Sequence, residues 1–143
     1  VLTTLRVGDA YNKHALTLAP GDHVSKVVDY ILTSYQPDFA VVQGGRLLGV
    51  VTRDEVLKTL ANEVSDLYVA GVMKREVLTV DASQGLDDVR RLMGEKGERI
   101  VAVNRGEDFL GLVSAEDIAE ALVVSSFVQL RDRRRAAAEA EPG

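Results

Sequence analysis

Apolar residues change their spacing several times along the chain, and each change marks a new element. Over residues 24–32 they recur at every third or fourth position, which predicts a helix with one buried face. Two continuous apolar runs follow at residues 39–42 and 47–51, joined by a Gly-Gly pair that is typical of a hairpin. A short strand at residues 15–18 precedes this helix, and a second helical spacing occupies residues 56–64. The predicted order is strand, helix, strand, strand, helix.

The same order returns 62 positions later in the sequence. That displacement places Thr17 on Thr79 and Gly49 on Gly111. The second copy has its strand, its helix, its hairpin and the start of its closing helix at residues 77–80, 86–93, 100–113 and 118–122. Two such copies, packed about a pseudo-twofold axis, leave clefts between them that suit a ligand. Because catalysis rarely needs two copies of an active site in so short a chain, the repeat favours a binding module over an enzyme.

The two copies define the domain organisation. We assign residues 7–68 to the first repeat, residues 69–130 to the second, and residues 131–143 to a disordered tail after the last helix. The central strands carry consecutive apolar residues instead of a strict alternation, which indicates sheets that are covered on both faces. Helices on one face and the other repeat on the opposite face would provide that cover. The predicted fold class is therefore α/β (α+β).

Composition narrows the range of functions. The 143 residues, of which 46% are hydrophobic, suffice for one domain or for two small repeats that share a core. The net charge of −5 disfavours nucleic acid as the main partner, since phosphate contacts need clustered Lys and Arg. We interpret the four arginines within residues 131–135 as a solvated helix end, with a basic patch for nucleic acid or membrane as the alternative. The lack of cysteine excludes disulfides and thiol chemistry.

Two strand-to-helix junctions carry the polar residues best suited to binding. Thr52 and Glu55 stand at the first junction, and Ser114 and Asp117 at the second. A helix N-terminus attracts oxygen-rich anionic ligands, and a carboxylate one turn further on accepts hydrogen bonds from ribose hydroxyls. The alternative is plain helix capping, because Thr-x-x-Glu is a capping box. Thr52 and Glu55 match that box fully, whereas Asp117 is a methylene short for the return bond.

The residues around both junctions resemble the Gly-h-h-Thr/Ser-x-x-Asp-h signature of CBS domains, in which h is an apolar residue. The matching segments are residues 49–56 and 111–118, with opening loops and strands at 9–18 and 71–80 and second strands at 39–42 and 100–103. The proline of the family's second strand is missing from both copies. The resemblance covers about residues 7–124, and two motif copies in the right order are far more specific than one.

The resemblance implies a disc-like tandem pair that binds AMP, ADP, ATP or S-adenosylmethionine as a regulatory ligand and requires no cofactor. Gly49 and Gly111 would leave room for a flat base to approach the strands. The preferred site, in repeat 2, consists of Gly71, Val77, Arg99, Ile100, Ser114 and Asp117. In repeat 1, Glu55 stands in place of the family's ribose-binding Asp. The residues of that second site are Asp9, Ala15, Asp38, Phe39, Thr52 and Glu55.

A narrower resemblance concerns residues 34–46, which are similar to the CBS pairs at the C-terminal end of bacterial site-2-type intramembrane zinc proteases. The last helix, over residues 121–130, also suits that context. The sequence has neither a His-Glu-x-x-His motif nor a membrane segment, so the protease would have to lie outside it. The chain opens at Val1 without Met, and we expect an excised cytoplasmic domain, the soluble part of a membrane protein if this resemblance holds.

Catalytic and metal signals are weak. His14 and His23 have no further ligands at metal-binding spacing, and no serine stands in a Gly-x-Ser-x-Gly setting. We therefore expect a regulatory sensor and no enzyme, with no catalytic or metal-binding residue. The alternative is a structural dimerisation module with empty clefts. In both cases an apolar helical face would favour a homodimer, since such patches seldom stay bare.

Overall fold

The computed structural model describes residues 5–62 and 67–140. The first repeat contains β1 (Thr17–Leu18), α1 (Val24–Thr33), β2 (Asp38–Gln43), β3 (Arg46–Thr52) and α2 (Arg53–Asn62). The second contains β4 (Leu78–Asp81), α3 (Leu86–Lys96), β5 (Ile100–Arg105), β6 (Asp108–Ser114) and α4 (Ala115–Ala140). The predicted element order and the mixed α/β class are confirmed. Residues 63–66, including the last part of the predicted helical spacing and part of the connector, lie outside the described residues.

Each repeat forms a three-stranded sheet with the same topology. The first strand runs parallel to the second, and the second and third form an antiparallel hairpin. The register of the hairpin shifts between Val41 and Val42 in repeat 1, and between Val103 and Asn104 in repeat 2. These positions differ by 62 residues, so the duplication extends to the irregularities of the backbone.

Each repeat also has a hydrophobic core between its sheet and its helices. The buried residues of the first core are Leu18, Val24, Val27, Phe39, Val41, Val51, Val56 and Val69. Those of the second are Val7, Val80, Ala82, Leu86, Val89, Met93, Val101, Val103, Val113 and Ile118. Ala40, Val50 and Ala102 are buried too, and alternation along the strands places them on the face opposite the core. There β6 packs against β2 and β3, which explains the continuous apolar runs in the sequence.

The opening turn of each repeat packs on the other repeat. Val7 precedes β1 in sequence but belongs to the second core, and Val69 precedes β4 but belongs to the first. The Val7 N–H donates to the carbonyl of Gln84 (2.9 Å), and the Val69 N–H donates to the carbonyl of Asp22 (2.8 Å). The two repeats are therefore tied together by a reciprocal exchange of their first turns.

The last helix is longer than the sequence predicted. Helix α4 continues to Ala140, so the predicted disordered tail is wrong for residues 131–140. This segment is made of Ala, Arg, Glu and Asp, and all but Asp are strong helix formers that extend a helix already begun by packing. Its side chains are exposed, in keeping with the predicted solvated helix end. Residues 141–143 lie outside the described part of the chain.

Candidate functional site in the larger inter-repeat cleft

The larger cleft lies between the opening segment of repeat 1 and the strand-to-helix junction of repeat 2. Its volume is about 530 Å³, which is within the usual range for small-molecule sites. The residues that line this cleft include Ala15, Asp38, Ile100, Leu112, Ser114 and Asp117. Apolar side chains thus form much of the wall, and the polar groups converge where β6 ends and α4 begins.

Ser114 and Asp117 form a complete capping box at that junction. The Asp117 N–H donates to Ser114 Oγ (3.1 Å), and the Ser114 N–H donates to Asp117 Oδ2 (3.1 Å). The expectation that the Asp117 side chain is too short for the return bond is therefore wrong. The carboxylate lies over the first turn of α4, where the positive end of the helix dipole favours its charge. It is exposed toward the cleft and keeps further acceptor positions.

The corresponding junction in repeat 1 has only one of the two hydrogen bonds of a capping box. The Glu55 N–H donates to Thr52 Oγ1 (3.2 Å), but the Glu55 carboxylate extends along α2 and lies 3.8 Å from Lys58 Nζ. This is the reverse of what the spacing predicted, because the longer side chain of Glu55 reaches outward instead of turning back. Thr52 lines a cleft, whereas Glu55 lies on the exposed surface of α2.

A backbone bridge crosses the smaller cleft. Val50 in β3 and Lys74 before β4 exchange hydrogen bonds, with the Val50 N–H donating to the Lys74 carbonyl (2.9 Å) and the Lys74 N–H to the Val50 carbonyl (2.8 Å). Lys74 Nζ also pairs with Glu98 at 3.5 Å. This bridge separates a compartment of about 210 Å³, lined by Thr52 and Val77, from an outer one of about 390 Å³ near the hairpin turns.

The two glycines of the motif, Gly49 and Gly111, pack against residues of the opposite repeat and do not border open space. A Cβ at Gly49 would lie 2.8 Å from the Lys74 carbonyl oxygen and 2.9 Å from the Met73 side chain. A Cβ at Gly111 would lie 2.6 Å from the Tyr11 ring. The room that the sequence predicted for a base is therefore taken up, at these two positions, by the opening segment of the opposite repeat.

An ion pair between the buried Asp38 and the half-exposed Arg99 connects the two clefts. Arg99 Nη2 lies 2.8 Å from Asp38 Oδ1, and Arg99 Nη1 lies 3.3 Å from Asp38 Oδ2. The Asp38 side chain is only 7% exposed, whereas that of Arg99 is 49% exposed. The hydrogen bond to Asp38 raises the pKa of Arg99, so the guanidinium stays charged. Asp38 lines the larger cleft and Arg99 lines the smaller one.

The structure groups the predicted site residues across the repeats instead of within them. Ser114, Asp117 and Ile100 of repeat 2 share the larger cleft with Ala15 and Asp38 of repeat 1. The exchange of opening turns causes this, because it carries the loop after each turn past its neighbour's junction, as the contacts of Tyr11 with Gly111 and of Lys74 with Val50 show.

The remaining predicted residues lie elsewhere. Val77 and Arg99 line the smaller cleft together with Thr52. Phe39 is fully buried in the first core, so its side chain faces away from both clefts. Asp9 accepts a hydrogen bond from the Arg6 N–H (3.1 Å) beside α4, and Gly71 ends the opening turn of repeat 2.

Sequence reasoning missed Gln36, which shapes the larger cleft. Its Oε1 accepts from the Leu16 N–H (2.9 Å), and its Nε2 donates to the carbonyls of Leu16 (2.8 Å) and Asp38 (2.9 Å). Gln36 thereby joins the opening strand to β2. The one signal in the sequence was that Gln36 aligns with Glu98, which cannot donate such bonds while ionised.

Residues 5–62 and 67–140 contain neither a candidate metal site nor a candidate membrane span. No group of three or more His, Asp or Glu residues there could hold a metal ion. No helix in the same ranges is both long and apolar enough to cross a membrane.

A sequence model of the CBS domain matches residues 7–62 and 64–124. The chain belongs to the CBS domain family. This CBS pair is 24% identical over 118 residues to an uncharacterised protein of Methanocaldococcus jannaschii, with 82% of the chain and 39% of the relative covered. The chain thus spans about two fifths of the length of that curated relative. A CBS pair is a regulatory module and not a catalytic domain.

Solved CBS pairs share the fold of this one. The CBS domain pair of protein MJ0100, in complex with 5′-methylthioadenosine and S-adenosyl-L-methionine, superposes with a TM-score of 0.70 at 22% identity, covering 82% of this chain and 94% of that one. CBSX2 in complex with AMP has a TM-score of 0.69 at 20% identity, covering 82% and 96%. Both similarities concern the fold.

Proposed function

We propose that this CBS pair is a regulatory sensor that binds an adenine nucleotide or S-adenosylmethionine in its larger cleft and controls an attached or partner domain. The observation that carries the proposal is the cleft of about 530 Å³ between the repeats, which Ser114 and the exposed carboxylate of Asp117 both line. The solved pairs bound to methylthioadenosine, S-adenosylmethionine and AMP support the choice of ligand class.

The chemistry of the cleft suits an adenosine group. The exposed Asp117 carboxylate accepts hydrogen bonds from adjacent ribose hydroxyls, and Ser114 Oγ contacts a ribose oxygen. Ala15, Ile100 and Leu112 offer apolar surface to a flat base. We assign no ligand to the smaller cleft, because the backbone bridge divides it and Glu55 lies on the outer surface.

Regulation requires that the ligand distinguish two states of the module. A ligand in the larger cleft touches Ala15 of repeat 1 and Ser114 of repeat 2, so its binding energy depends on how the repeats are placed. It shifts the population toward the placement that it fits best, and an attached domain responds to that shift.

Thermal unfolding with millimolar AMP, ADP, ATP and S-adenosylmethionine tests the proposal. A ligand at a hundredfold its Kd stabilises the folded state by about 2.7 kcal/mol. We expect stabilisation by at least one of the four for the wild type, and none for Asp117→Ala. Glu55→Ala is the matched control, since it removes the corresponding carboxylate of repeat 1 and should respond like the wild type. If no ligand stabilises the wild type, the sensor proposal fails.

A structural dimerisation module is the second candidate, and one observation favours it. Large apolar side chains of α2 and α4 are exposed, among them Leu57 (48%), Val123 (69%) and Phe127 (63%). On α4 the exposed Val123, Phe127 and Leu130 recur at helical spacing and therefore share one face, and an apolar face of this kind marks an interaction site. Sedimentation of the wild type and Phe127→Glu checks this: a dimer for the wild type and a monomer for the variant is the expected pair of results. A monomeric wild type at all concentrations contradicts the dimer.

We propose that the partner domain is a site-2-type intramembrane zinc protease. We also propose that this CBS pair lies in the cytoplasm. The proposal rests on the resemblance of residues 34–46 to the CBS pairs of those proteases. Determining the full-length polypeptide that contains this CBS pair, and searching it for a His-Glu-x-x-His domain, tests the proposal directly. A full-length product with any other catalytic or transport domain would contradict it.

A further inference from the structure

Helix α4 has a second regular face, on the side opposite to the residues that pack on the core. Ile118 is buried in the second core, and Ala121 and Leu122 pack against it. Six exposed residues on the other side are separated alternately by four and three positions. They are Glu116, Glu120, Val123, Phe127, Leu130 and Arg134. This is the heptad spacing with which one side of a helix packs along a second helix, and we call these six residues the α4 seam.

The chemical character of the α4 seam changes along its length. The seam is acidic at Glu116 and Glu120, apolar in the middle and basic at Arg134. The middle residues Val123 and Phe127 are 69% and 63% exposed. Neither Glu120 nor Arg134 is in an ion pair within residues 5–62 and 67–140. The two charged ends lie about 27 Å apart along the helix axis, so they cannot neutralise each other within one copy.

The α4 seam matches itself when a second copy is laid against it in the opposite direction. Its spacing of four, three, four, three and four positions is the same from either end. An antiparallel pair centred on residue 125 therefore places Arg134 opposite Glu116, and Phe127 opposite Val123. A parallel pair would instead place each end opposite an end of the same charge. Charge complementarity thus favours a second copy of this chain, in the antiparallel direction, as the occupant.

The C-terminal part of α4 needs packing that its own repeat does not supply. Residues 131–140 are all exposed, although most helical stability in proteins comes from the packing of one face. In the antiparallel pair, this segment begins along the packed first half of the other α4. Arg131 then lies on the same side of the pair as Glu120 of the second copy, and the two charges attract. The second copy thereby supports the part of α4 that projects from the core.

We propose that the α4 seam binds the α4 seam of a second copy in the antiparallel direction, with Arg134 of the second copy beside Glu116. This specifies the surface and the direction of the dimer described above as the second candidate, and it rests on that dimer. Glu116 adjoins Asp117, which lines the larger cleft. The end of one copy's α4 therefore lies at the edge of the other copy's cleft, and the dimer joins the two sites that we propose for the ligand.

Reversing single charges tests the pairing, with sedimentation equilibrium as the measure of the dimer Kd. Glu120→Arg and Arg131→Glu each convert two symmetric attractions into repulsions. We expect either change to raise the Kd about tenfold. An equimolar mixture of the two variants should regain the wild-type Kd, because opposite charges meet again in the mixed dimer. Asp29→Arg is the control, since it makes the same change of charge on the exposed surface of α1 and should leave the Kd unchanged.

The direction of the pair can be tested by crosslinking, because the chain has no cysteine of its own. Position 119 of one copy lies near position 130 of the other in the antiparallel pair, and far from its own equivalent. A short bismaleimide should therefore join Ala119→Cys to Leu130→Cys in a mixture of the two variants, and should join neither variant to itself. Crosslinking of each variant to itself would show a parallel pair and would overturn the inference.

The remaining outcomes separate this inference from the two candidate functions. A dimer whose Kd is unchanged by both charge reversals overturns the inference and leaves the dimerisation module standing. A wild type that stays monomeric at all concentrations overturns both, while the response to ligands still decides the sensor proposal. If that monomer sediments with vesicles of anionic phospholipid, the apolar and basic residues of α4 bind a membrane surface, and the inference is likewise overturned.

Discussion

The two clefts descend from the same pattern of residues, yet only one of them is undivided. In the smaller cleft, Val50 and Lys74 exchange backbone hydrogen bonds and divide the space. The corresponding residues of the larger cleft are Leu112 and Asn12, both described, and they form no such bridge. The larger cleft therefore remains continuous, at about 530 Å³. A duplicated motif thus sets the frame of both clefts, while the approach of one short segment divides one of them.

The ion pair makes the clefts differ in charge as well as in size. By the 62-residue displacement, Asp38 corresponds to Ile100 and Arg99 corresponds to Pro37. The pair therefore occurs once, across the pseudo-twofold axis, and has no symmetric counterpart at Pro37 and Ile100. It directs a carboxylate into one cleft and a guanidinium into the other. The two clefts of this CBS pair are accordingly not equivalent in charge.

Adding a methyl group to the motif glycines should produce the largest difference between the two sides. In Gly49→Ala, the new Cβ meets the carbonyl oxygen of Lys74, a backbone atom held by the bridge to Val50. We expect a loss of about 1–3 kcal/mol in the free energy of unfolding, measured by urea denaturation. In Gly111→Ala the Cβ meets side-chain atoms of Tyr11 instead of a hydrogen-bonded backbone atom, and the loss should be smaller. An equal or larger loss for Gly111→Ala would contradict this view of the bridge.

The two helix starts should respond differently to loss of their carboxylates in the absence of ligand. Asp117→Ala removes the acceptor of the Ser114 N–H and a favourable charge at the start of α4, and should cost about 1 kcal/mol. Glu55→Ala removes only an exposed contact with Lys58 and should stay within about 0.5 kcal/mol of the wild type. Chemical denaturation of the ligand-free proteins measures both. Equal losses would show that the return bond contributes nothing.

The smallest effect concerns acid sensitivity at the exchanged turns. Asp22 Oδ2 accepts from the Ala19 N–H (2.8 Å), and this bond, followed in importance by Lys26, holds the pKa of Asp22 below its usual value of 3.8. Its counterpart Gln84 makes the same bond with the Asp81 N–H (2.8 Å) without titrating. Because the folded-state pKa is lowered, the stabilisation is present above pH 3.8 and is lost as the pH falls through the lowered value.

Asp22→Gln therefore copies the arrangement of repeat 2 into repeat 1. We expect little change near pH 7 and a shallower loss of melting temperature than in the wild type as the pH falls below about 4. Melting curves between about pH 6 and pH 3 record the two slopes. Parallel curves would show that Asp22 titrates alike in the folded and unfolded chains.

The element order could be predicted because it depends on local periodicity. The helical spacing of residues 24–32 and the continuous runs on either side of the Gly-Gly turn specify their elements within a few positions. The motif likewise identified Ser114 and Asp117, which the structure places together at one cleft. Extension of α4 over residues 131–140 was missed, since composition alone cannot distinguish a solvated helix from a disordered tail.

The grouping of the site residues could not be predicted, because it depends on contacts between distant segments. Ala15 lies beside Ser114, and Val77 beside Thr52, only because the opening turns are exchanged. Nothing in the local spacing specifies that exchange. The pairing of Asp38 with Arg99 is of the same kind, since the partners are 61 positions apart in the sequence.

The exchanged turns also determine how the molecule can be divided. A fragment cut between the repeats would lose Val69 from the first core and Val7 from the second, leaving an apolar gap in each half. Neither half should fold alone, and calorimetry should show one cooperative transition rather than two. Folding must also join segments as far apart as Arg6 and Ser83, which are 77 residues apart, and such long-range contacts slow the search for the native state. Although the sequence consists of two copies of one repeat, we expect the two copies to fold only together, as a single cooperative unit.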